Sequence, residues 1–419
     1  MIRPLARPFT ILCLTSTALA GCAATAQEAA APEVAPSVAN APAAAPDKGS
    51  ANLASNSLYS DLDNPTTPAD LPQTASVLEL ERYRPTYKLT ACQTPPAVRA
   101  IALGELAQAV AAAQSYSDEQ RGLGLIIMLD GEILHQSYAE GVSGATPSAS
   151  ASMMKSVIAL LYGIAIEDGV IGSIDDPVGD YLAEWKDDAR GTITLRQLMT
   201  MSAGLGQSDF LKILLAPDIG AVALELEKTG EPDAEFAYNN AITKVLTLVL
   251  DRKLAEAGKG GVLPYLQSEL WCPLGNGVAQ VWVDASGKAR GYAGLHAGLA
   301  DYARIGEMIR KGGRAGGKQI VPEAWIAEMA KPSKANAQYG LQVWLGGEWN
   351  EKRSYSAANP IKIPHKEAFV AKDIVYFDGF GGQRVYIIPS KRLVIARFGE
   401  VNLAYDDSVI PNLLVSALN

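Results

Sequence analysis

Ser152-Met153-Met154-Lys155 is the only Ser-x-x-Lys in this chain, and it stands where a polar loop gives way to the apolar run Val157-Ile158-Ala159-Leu160-Leu161-Tyr162-Gly163-Ile164-Ala165-Ile166. A run that is apolar on every side predicts a helix buried in a core rather than one lying on a surface. Ser152 then occupies the first turn with Lys155 three residues on, and side chains at that spacing share one helix face, so the amine reaches the hydroxyl. A serine hydroxyl is a poor nucleophile at neutral pH without a base beside it. A lysine serves as that base only when burial or neighbouring positive charge lowers its pKa. Here the apolar run supplies the burial, and the helix N-terminus adds N–H groups and partial positive charge that favour an alkoxide or oxyanion. Ser152 is the candidate nucleophile and Lys155 its candidate activator. Because serine and lysine fall at this spacing often by chance, the pair takes its weight from the rest of the chain.

Upstream, residues 123–129 and 132–138 flank Asp130-Gly131, a dipeptide that supplies the positive φ angles of a tight hairpin. Downstream, 383–388 and 393–398 flank Pro389-Ser390-Lys391-Arg392 as a second hairpin, and 341–345 reads as a further strand. Between them, helices are expected over 152–167, 195–201, 221–228, 241–257, 299–310 and 322–331, with a final one over 409–418. Strands at both ends and helices between predict an α+β fold. One antiparallel sheet is built from N- and C-terminal segments, flanked by helices, with an inserted mainly helical region and a cleft where the two meet. Gly312-Gly313 and Gly316-Gly317 lack the strand before and the Gly-Lys-Ser/Thr after that a phosphate loop needs, and read as loop glycines.

Residues 1–22 read as a processing signal: Arg3 and Arg7 precede an apolar stretch over 9–19, ending in Leu19-Ala20-Gly21-Cys22. This resembles a bacterial lipoprotein signal, which implies a lipid anchor on Cys22 and, with Ala23 rather than an aspartate following, delivery to the outer membrane facing the periplasm. An ordinary secretory peptide cut near 18–20 is the alternative. Residues 23–76, rich in Ala, Pro, Ser, Asn and Thr, are expected to be a disordered tether, leaving 77–419 as one folded domain. A net charge of −9 without a basic cluster argues against nucleic acid as a partner. With only His135, His296 and His365, and no His-Glu-x-x-His, neither a metal nor another cofactor is expected. Cys92 and Cys272 either pair in an oxidising compartment or remain two buried thiols. Oligomeric state leaves no trace in the sequence.

Three further segments join the first. These are Ile193 to Leu205, the loop Glu231-Pro232-Asp233-Ala234-Glu235-Phe236-Ala237-Tyr238-Asn239-Asn240 ending in a Tyr-x-Asn, and Phe377-Asp378-Gly379-Phe380-Gly381-Gly382-Gln383. In this order, and with Gly294-Leu295 through Asp301-Tyr302-Ala303-Arg304-Ile305-Gly306, the set resembles the serine β-lactamase-related superfamily. More specifically it is similar to the branch of class C β-lactamases, D-Ala-D-Ala carboxypeptidases, esterases and 6-aminohexanoate-dimer hydrolases. The resemblance implies that Ser152 is acylated, Lys155 activates it and Tyr238 shuttles protons, a phenol beside a cationic lysine losing its proton more easily. It implies that Asn240 orders Lys155 or the substrate carbonyl, a helix N-cap being the alternative, and that Gly379 and Phe380 bring a backbone N–H to complete an oxyanion hole with that of Ser152. Ser150 and Ser156 are each as readily structural as catalytic, and His296 is expected to pack rather than line the cleft.

The third motif departs from the family. Where Lys-Thr-Gly or His-x-Gly is usual, this chain has Phe377-Asp378-Gly379, so the cation that would hold the carboxylate of a penicillin or a D-alanyl peptide is missing. Arg384 or Lys372 is a possible substitute, although strand alternation equally points Arg384 to solvent. Asp378 is expected in a turn, the alternative being a partner for a cationic substrate. These residues imply a serine hydrolase acting on a small ester or amide. The alternatives are a peptidoglycan-directed D,D-peptidase or weak β-lactamase, and a tethered binding protein that has kept the fold without the chemistry.

Overall fold

The computed structural model describes residues 86–356 and 361–418; the signal expected over 1–22 with Cys22, and the tether expected over 23–76, lie outside them. Six strands form the central sheet: β1 (Gly122–Leu129), β2 (Glu132–Tyr138), β3 (Trp344–Leu345), β4 (Val375–Gly379), β5 (Gln383–Ile388) and β6 (Leu393–Gly399). Their order is β2-β1-β6-β5-β4-β3 and every neighbouring pair is antiparallel. The expected chain-end closure is the β1–β6 pairing, which runs from Leu129 opposite Leu393 to Gly124 opposite Phe398. Asp130 at φ 54° and Gly131 at φ 84° make the first hairpin turn, the left-handed conformations that an Asp-Gly dipeptide tolerates.

Five longer helices matter for the site: α1 (Ala107–Glu119), α2 (Met154–Glu167), α3 (Asn240–Glu256), α4 (Leu299–Arg310) and α5 (Val409–Ala417). One face of β5 and β6 takes α4, which comes so close at Gly306 that an added Cβ would lie 2.8 Å from Val394 and 2.9 Å from Val385. The opposite face takes α1, where Arg397 Nε donates to Ser117 Oγ at 3.2 Å, and α5 packs on α1. Covered on both sides, β5 and β6 are buried along their whole length, so they read as apolar runs instead of alternating.

In the inserted region, every residue of α2 from Met154 to Ala165 is buried, as its all-round apolarity predicts. Gly163 lets the Trp325 ring lie against this helix, and Trp325 Nε1 donates to the Ala159 carbonyl at 2.9 Å.

Three features differ from the sequence expectation. A second sheet of four strands exists, in the order Thr86–Leu89, Ala279–Trp282, Leu295–Ala297, Ser148–Ala149; strands of two to four residues are too short to show a period. The expected strand over 341–345 shrinks to Trp344–Leu345, and α1 and β4 carried no strong pattern of their own. Of the two alternatives left open for Cys92 and Cys272, the structure has the disulfide, with Cα atoms 5.2 Å apart. Among the described residues, no helix is long and apolar enough to cross a membrane.

Candidate active site

Ser152 lies in a single 3-10 turn, Ala151–Met153, that runs directly into α2. Ala151 holds φ at 44°, a left-handed conformation that costs a residue bearing a Cβ about 1–3 kcal/mol and is found where a side chain must be presented. The turn is pinned from behind, since Ser150 N donates to the Leu295 carbonyl at 2.8 Å. It is pinned in front by the end of β4: Gly379 lies so close to the Ser150 carbonyl that a Cβ there would collide with it. The next residue, Phe380, therefore arrives beside the nucleophile turn and is 40 % exposed.

Lys155 is 1 % exposed, and its Nζ lies 3.1 Å from Ser152 Oγ, 2.7 Å from Asn240 Oδ1 and 2.9 Å from the Tyr292 carbonyl oxygen. Burial holds its pKa well below the ordinary lysine value, with the Asp378 carboxylate opposing the shift. A neutral amine has two N–H donors and one lone pair. Two of its three neighbours are carbonyl oxygens that can only accept, so they fix the two N–H groups and leave the lone pair for the Ser152 hydroxyl. The amine can then take the serine proton.

The Tyr238 hydroxyl is hydrogen-bonded to Ser152, and its ring centroid is 4.8 Å from Lys155 Nζ. Desolvation raises the phenol's pKa well above its ordinary value, the bond to Ser152 opposing. This runs opposite to the expectation that a cationic lysine eases the tyrosine's ionisation: desolvation disfavours both charges, lowering the lysine's pKa and raising the tyrosine's. Asn240 is the first residue of α3 and binds Lys155, while the helix is capped by Asn239, whose side chain accepts from Ala241 N at 2.9 Å. A cavity of about 350 Å³ bordered by Gln207 and Ser208 adjoins this loop; Gln207 Nε2 donates to the Tyr238 carbonyl at 3.5 Å.

The third motif is placed otherwise than expected. Asp378 sits in β4 and not in a turn, is 3 % exposed, and faces Arg384 across the β4–β5 register. Arg384 points neither to solvent nor to the cleft. It is 1 % exposed and engages Asp378 and Asp407, and Arg353 joins both aspartates. Lys372 is exposed and donates to the Phe369 carbonyl at 2.9 Å. The carboxylate therefore offers no free charge to a substrate cation, and the two arginines none to a substrate anion. His296 is buried against the Trp282 ring, centroids 4.3 Å apart. Ser150 and Ser156 donate to the Ala151 and Gln342 carbonyls. Among the described residues, no group of three or more His, Cys, Asp or Glu is placed to hold a metal.

Residues absent from the sequence reading are Tyr292, Arg353, Tyr355 and Asp407. Tyr292 contributes only its carbonyl, which any residue type supplies. The Asp378–Arg384 pair had a signal: opposite charges stand three residues either side of Gly381, on what proves to be a tight hairpin.

A beta-lactamase family model matches residues 106–406. Among solved structures, the chain is similar to a putative 6-aminohexanoate-dimer hydrolase from Bacillus anthracis, with a TM-score of 0.65 and 19 % identity over 81 % of this chain and 92 % of that one. A putative beta-lactamase from Bacteroides dorei DSM 17855 gives a TM-score of 0.59 and 20 % identity over 76 % and 99 %. A family VIII carboxylesterase gives 0.56 and 15 % identity over 78 % and 99 %. At such identities the structural likeness speaks for the fold; the family match, which spans most of the sequence and contains Ser152, Lys155 and Tyr238, goes further. The chain belongs to the beta-lactamase family, a family of serine hydrolases.

Proposed function

We propose that this chain cleaves an ester or amide bond through an acyl-enzyme on Ser152. The observation that carries the reading is the buried Lys155, whose Nζ lies 2.7 and 2.9 Å from two carbonyl oxygens that can only accept and 3.1 Å from Ser152 Oγ, an arrangement that leaves a neutral amine's lone pair for the serine proton. Ser152 Oγ attacks the substrate carbonyl carbon as its proton passes to Lys155. The resulting oxyanion is held by the backbone N–H groups of Ser152 and Phe380, and one such donor is worth about 3 kcal/mol in the barrier. When the tetrahedral centre collapses, the departing alkoxide or amine takes a proton from Tyr238, which recovers one from the Lys155 ammonium. Water repeats the sequence on the acyl group, gives its proton to Lys155 and releases the acid and free Ser152. No metal or organic cofactor enters these steps.

Two further elements of the proposal have separate support. A substrate without a carboxylate beside the scissile bond is favoured, because Arg384 and Arg353 are both engaged by aspartates. This weighs against penicillins and D-alanyl peptides; among the similar structures, the names carboxylesterase and 6-aminohexanoate-dimer hydrolase fit it and the name beta-lactamase does not. An envelope location, with a lipid on Cys22, is supported by the signal-like residues 1–22 and by the Cys92–Cys272 disulfide, a bond that persists in oxidising compartments.

The test is intact-mass spectrometry of the full chain and its Ser152→Ala variant after exposure to a fluorophosphonate and, separately, to a penicillin. One fluorophosphonate adduct that vanishes in Ser152→Ala is expected, with no penicillin adduct. A penicillin adduct as well would favour a cell-wall substrate. No adduct from either probe on folded protein would sink the catalytic reading and leave a binding protein.

A further inference from the structure

Asp378 occupies the position where the family pattern places a residue that meets substrate, yet it is sealed inside the protein, and what it holds there leads back to the active site. Its Oδ1 is 2.5 Å from Arg384 and its Oδ2 3.0 Å from Arg353; Asp407 closes the square, 2.7 Å from Arg384 and 3.0 Å from Arg353. Two positive and two negative groups cancel, and none of the four residues is more than 3 % exposed. A buried square of this kind adds little net stability once desolvation is counted, whereas it fixes the directions of four side chains.

Arg353 and the neighbouring Tyr355 belong to the segment between β3 and β4, whose strand Lys352–Ser354 pairs with Lys362–Pro364. Tyr355 Oη donates to Asp378 Oδ2 at 2.9 Å, so the square grips this segment twice. From Tyr355 the connection runs to Tyr238 by two routes. The Tyr355 carbonyl accepts from Tyr238 N at 2.9 Å, and the two rings lie 5.0 Å apart. A third contact is indirect: the Arg353 guanidinium sits 3.9 Å from the Trp344 ring, which stacks on Tyr238 at 6.1 Å and 28°. Tyr238 itself lies on a loop just ahead of α3, and besides its hydroxyl's bond to Ser152 its ring is held by packing against Tyr355, Trp344 and Tyr339.

We infer that Tyr355, locked by Asp378 in the buried arginine–aspartate square, is the positioning residue that holds Tyr238 against Ser152. The position that elsewhere in the family meets substrate has become, in this chain, an anchor for the proton-carrying tyrosine. The inference rests on the hydrolase reading above. It concerns alignment, where a displacement of about 1 Å can cost roughly 100-fold in rate.

The test is hydrolysis of an alkyl ester, whose departing alkoxide needs the proton that Tyr238 carries, by the full chain, wild type and Tyr355→Phe. It is run alongside fluorophosphonate labelling of Ser152, in which fluoride leaves without a proton, and a thermal melt of each. Tyr355→Phe keeps the ring and the backbone bond to Tyr238 and removes only the hydroxyl on Asp378. A loss of about tenfold in kcat for the ester is expected with the labelling rate nearly unchanged, and Tyr355→Leu, which also removes the ring, loses more if it melts cooperatively. If Tyr355→Phe keeps ester turnover within about twofold of wild type, whether or not it melts lower, Tyr355 is structural only and the inference is overturned. Failure of the wild type itself to be labelled at Ser152 would instead overturn the hydrolase reading, and the inference with it.

Discussion

Two lysines on helices of the inserted region are buried to the same degree, and they differ in what surrounds the charge. Lys244 on α3 is 1 % exposed with Nζ 3.1 Å from Asp284 Oδ2 and 2.8 Å from the Ala289 carbonyl. Lys155 on α2 is equally buried, but its three hydrogen-bonding neighbours are a hydroxyl, an amide oxygen and a backbone carbonyl, none of them charged. Burial lowers both pKa values. Asp284 offsets the fall for Lys244, whereas Lys155 has only the more remote Asp378 to oppose it and is driven further down. Burying an ammonium without a counter-ion is costly, which shifts the balance toward the neutral amine, and a lysine without its proton is a base. In this molecule the absence of a paired carboxylate, more than burial, separates a reactive lysine from a structural one.

The comparison can be broken most forcefully at Lys155. Lys155→Met removes the base, and labelling of Ser152 by a fluorophosphonate should slow by about 10²–10⁴-fold while the protein still melts cooperatively. Labelling at the wild-type rate would mean that Tyr238 or solvent takes the proton. Lys244→Met should do the reverse: it strands Asp284 in the core and lowers stability in urea titration by about 3–5 kcal/mol, with the labelling rate of the folded fraction unchanged. The most discriminating variant makes one site resemble the other. Asn240→Asp puts a carboxylate where an amide oxygen lies 2.7 Å from Lys155 Nζ, which raises the lysine's pKa. Because the neutral amine is the reactive form, the labelling rate climbs as pH rises through that pKa. In Asn240→Asp the climb should therefore move upward by about 1–3 pH units, with a matching loss at neutral pH. An unmoved pH profile would show that Lys155 does not govern acylation.

Much of this was legible because the signals were local. Asp130-Gly131 marked its hairpin, the apolar run after Ser152 marked a buried helix, and the order of Ser152, Lys155, Tyr238 and Asn240 marked the cluster that the fold assembles. What escaped depended on register or on distant chain. Arg384 was undetermined because its orientation follows from pairing with β4, and β4 was not assigned; once Asp378 stands opposite Arg384, the ion pair follows. Asp407 reaches the same square from the loop before α5, with no nearby motif to announce it. The ionisation of Tyr238 was read differently for a similar reason: the family resemblance put a cationic lysine beside it, whereas burial in the folded chain lowers the lysine's pKa and raises the tyrosine's.

The Cys92–Cys272 bond also sets how the domain responds to tension. Thr86–Leu89 runs antiparallel to Ala279–Trp282, which pairs with Leu295–Ala297, and the Leu295 carbonyl in turn holds the backbone of Ser150 beside the nucleophile. A pull on the chain ahead of Thr86 would load that series of strands in shear and lead straight toward the Ser152 turn. Any peeling of Thr86–Leu89 ends at Cys92, where the covalent link passes the load to Cys272, at the end of the helical segment Leu266–Trp271. Once Thr86–Leu89 has peeled, the disulfide is thus a mechanical shunt that carries the load to Cys272 instead of along the strands toward the Ser152 turn.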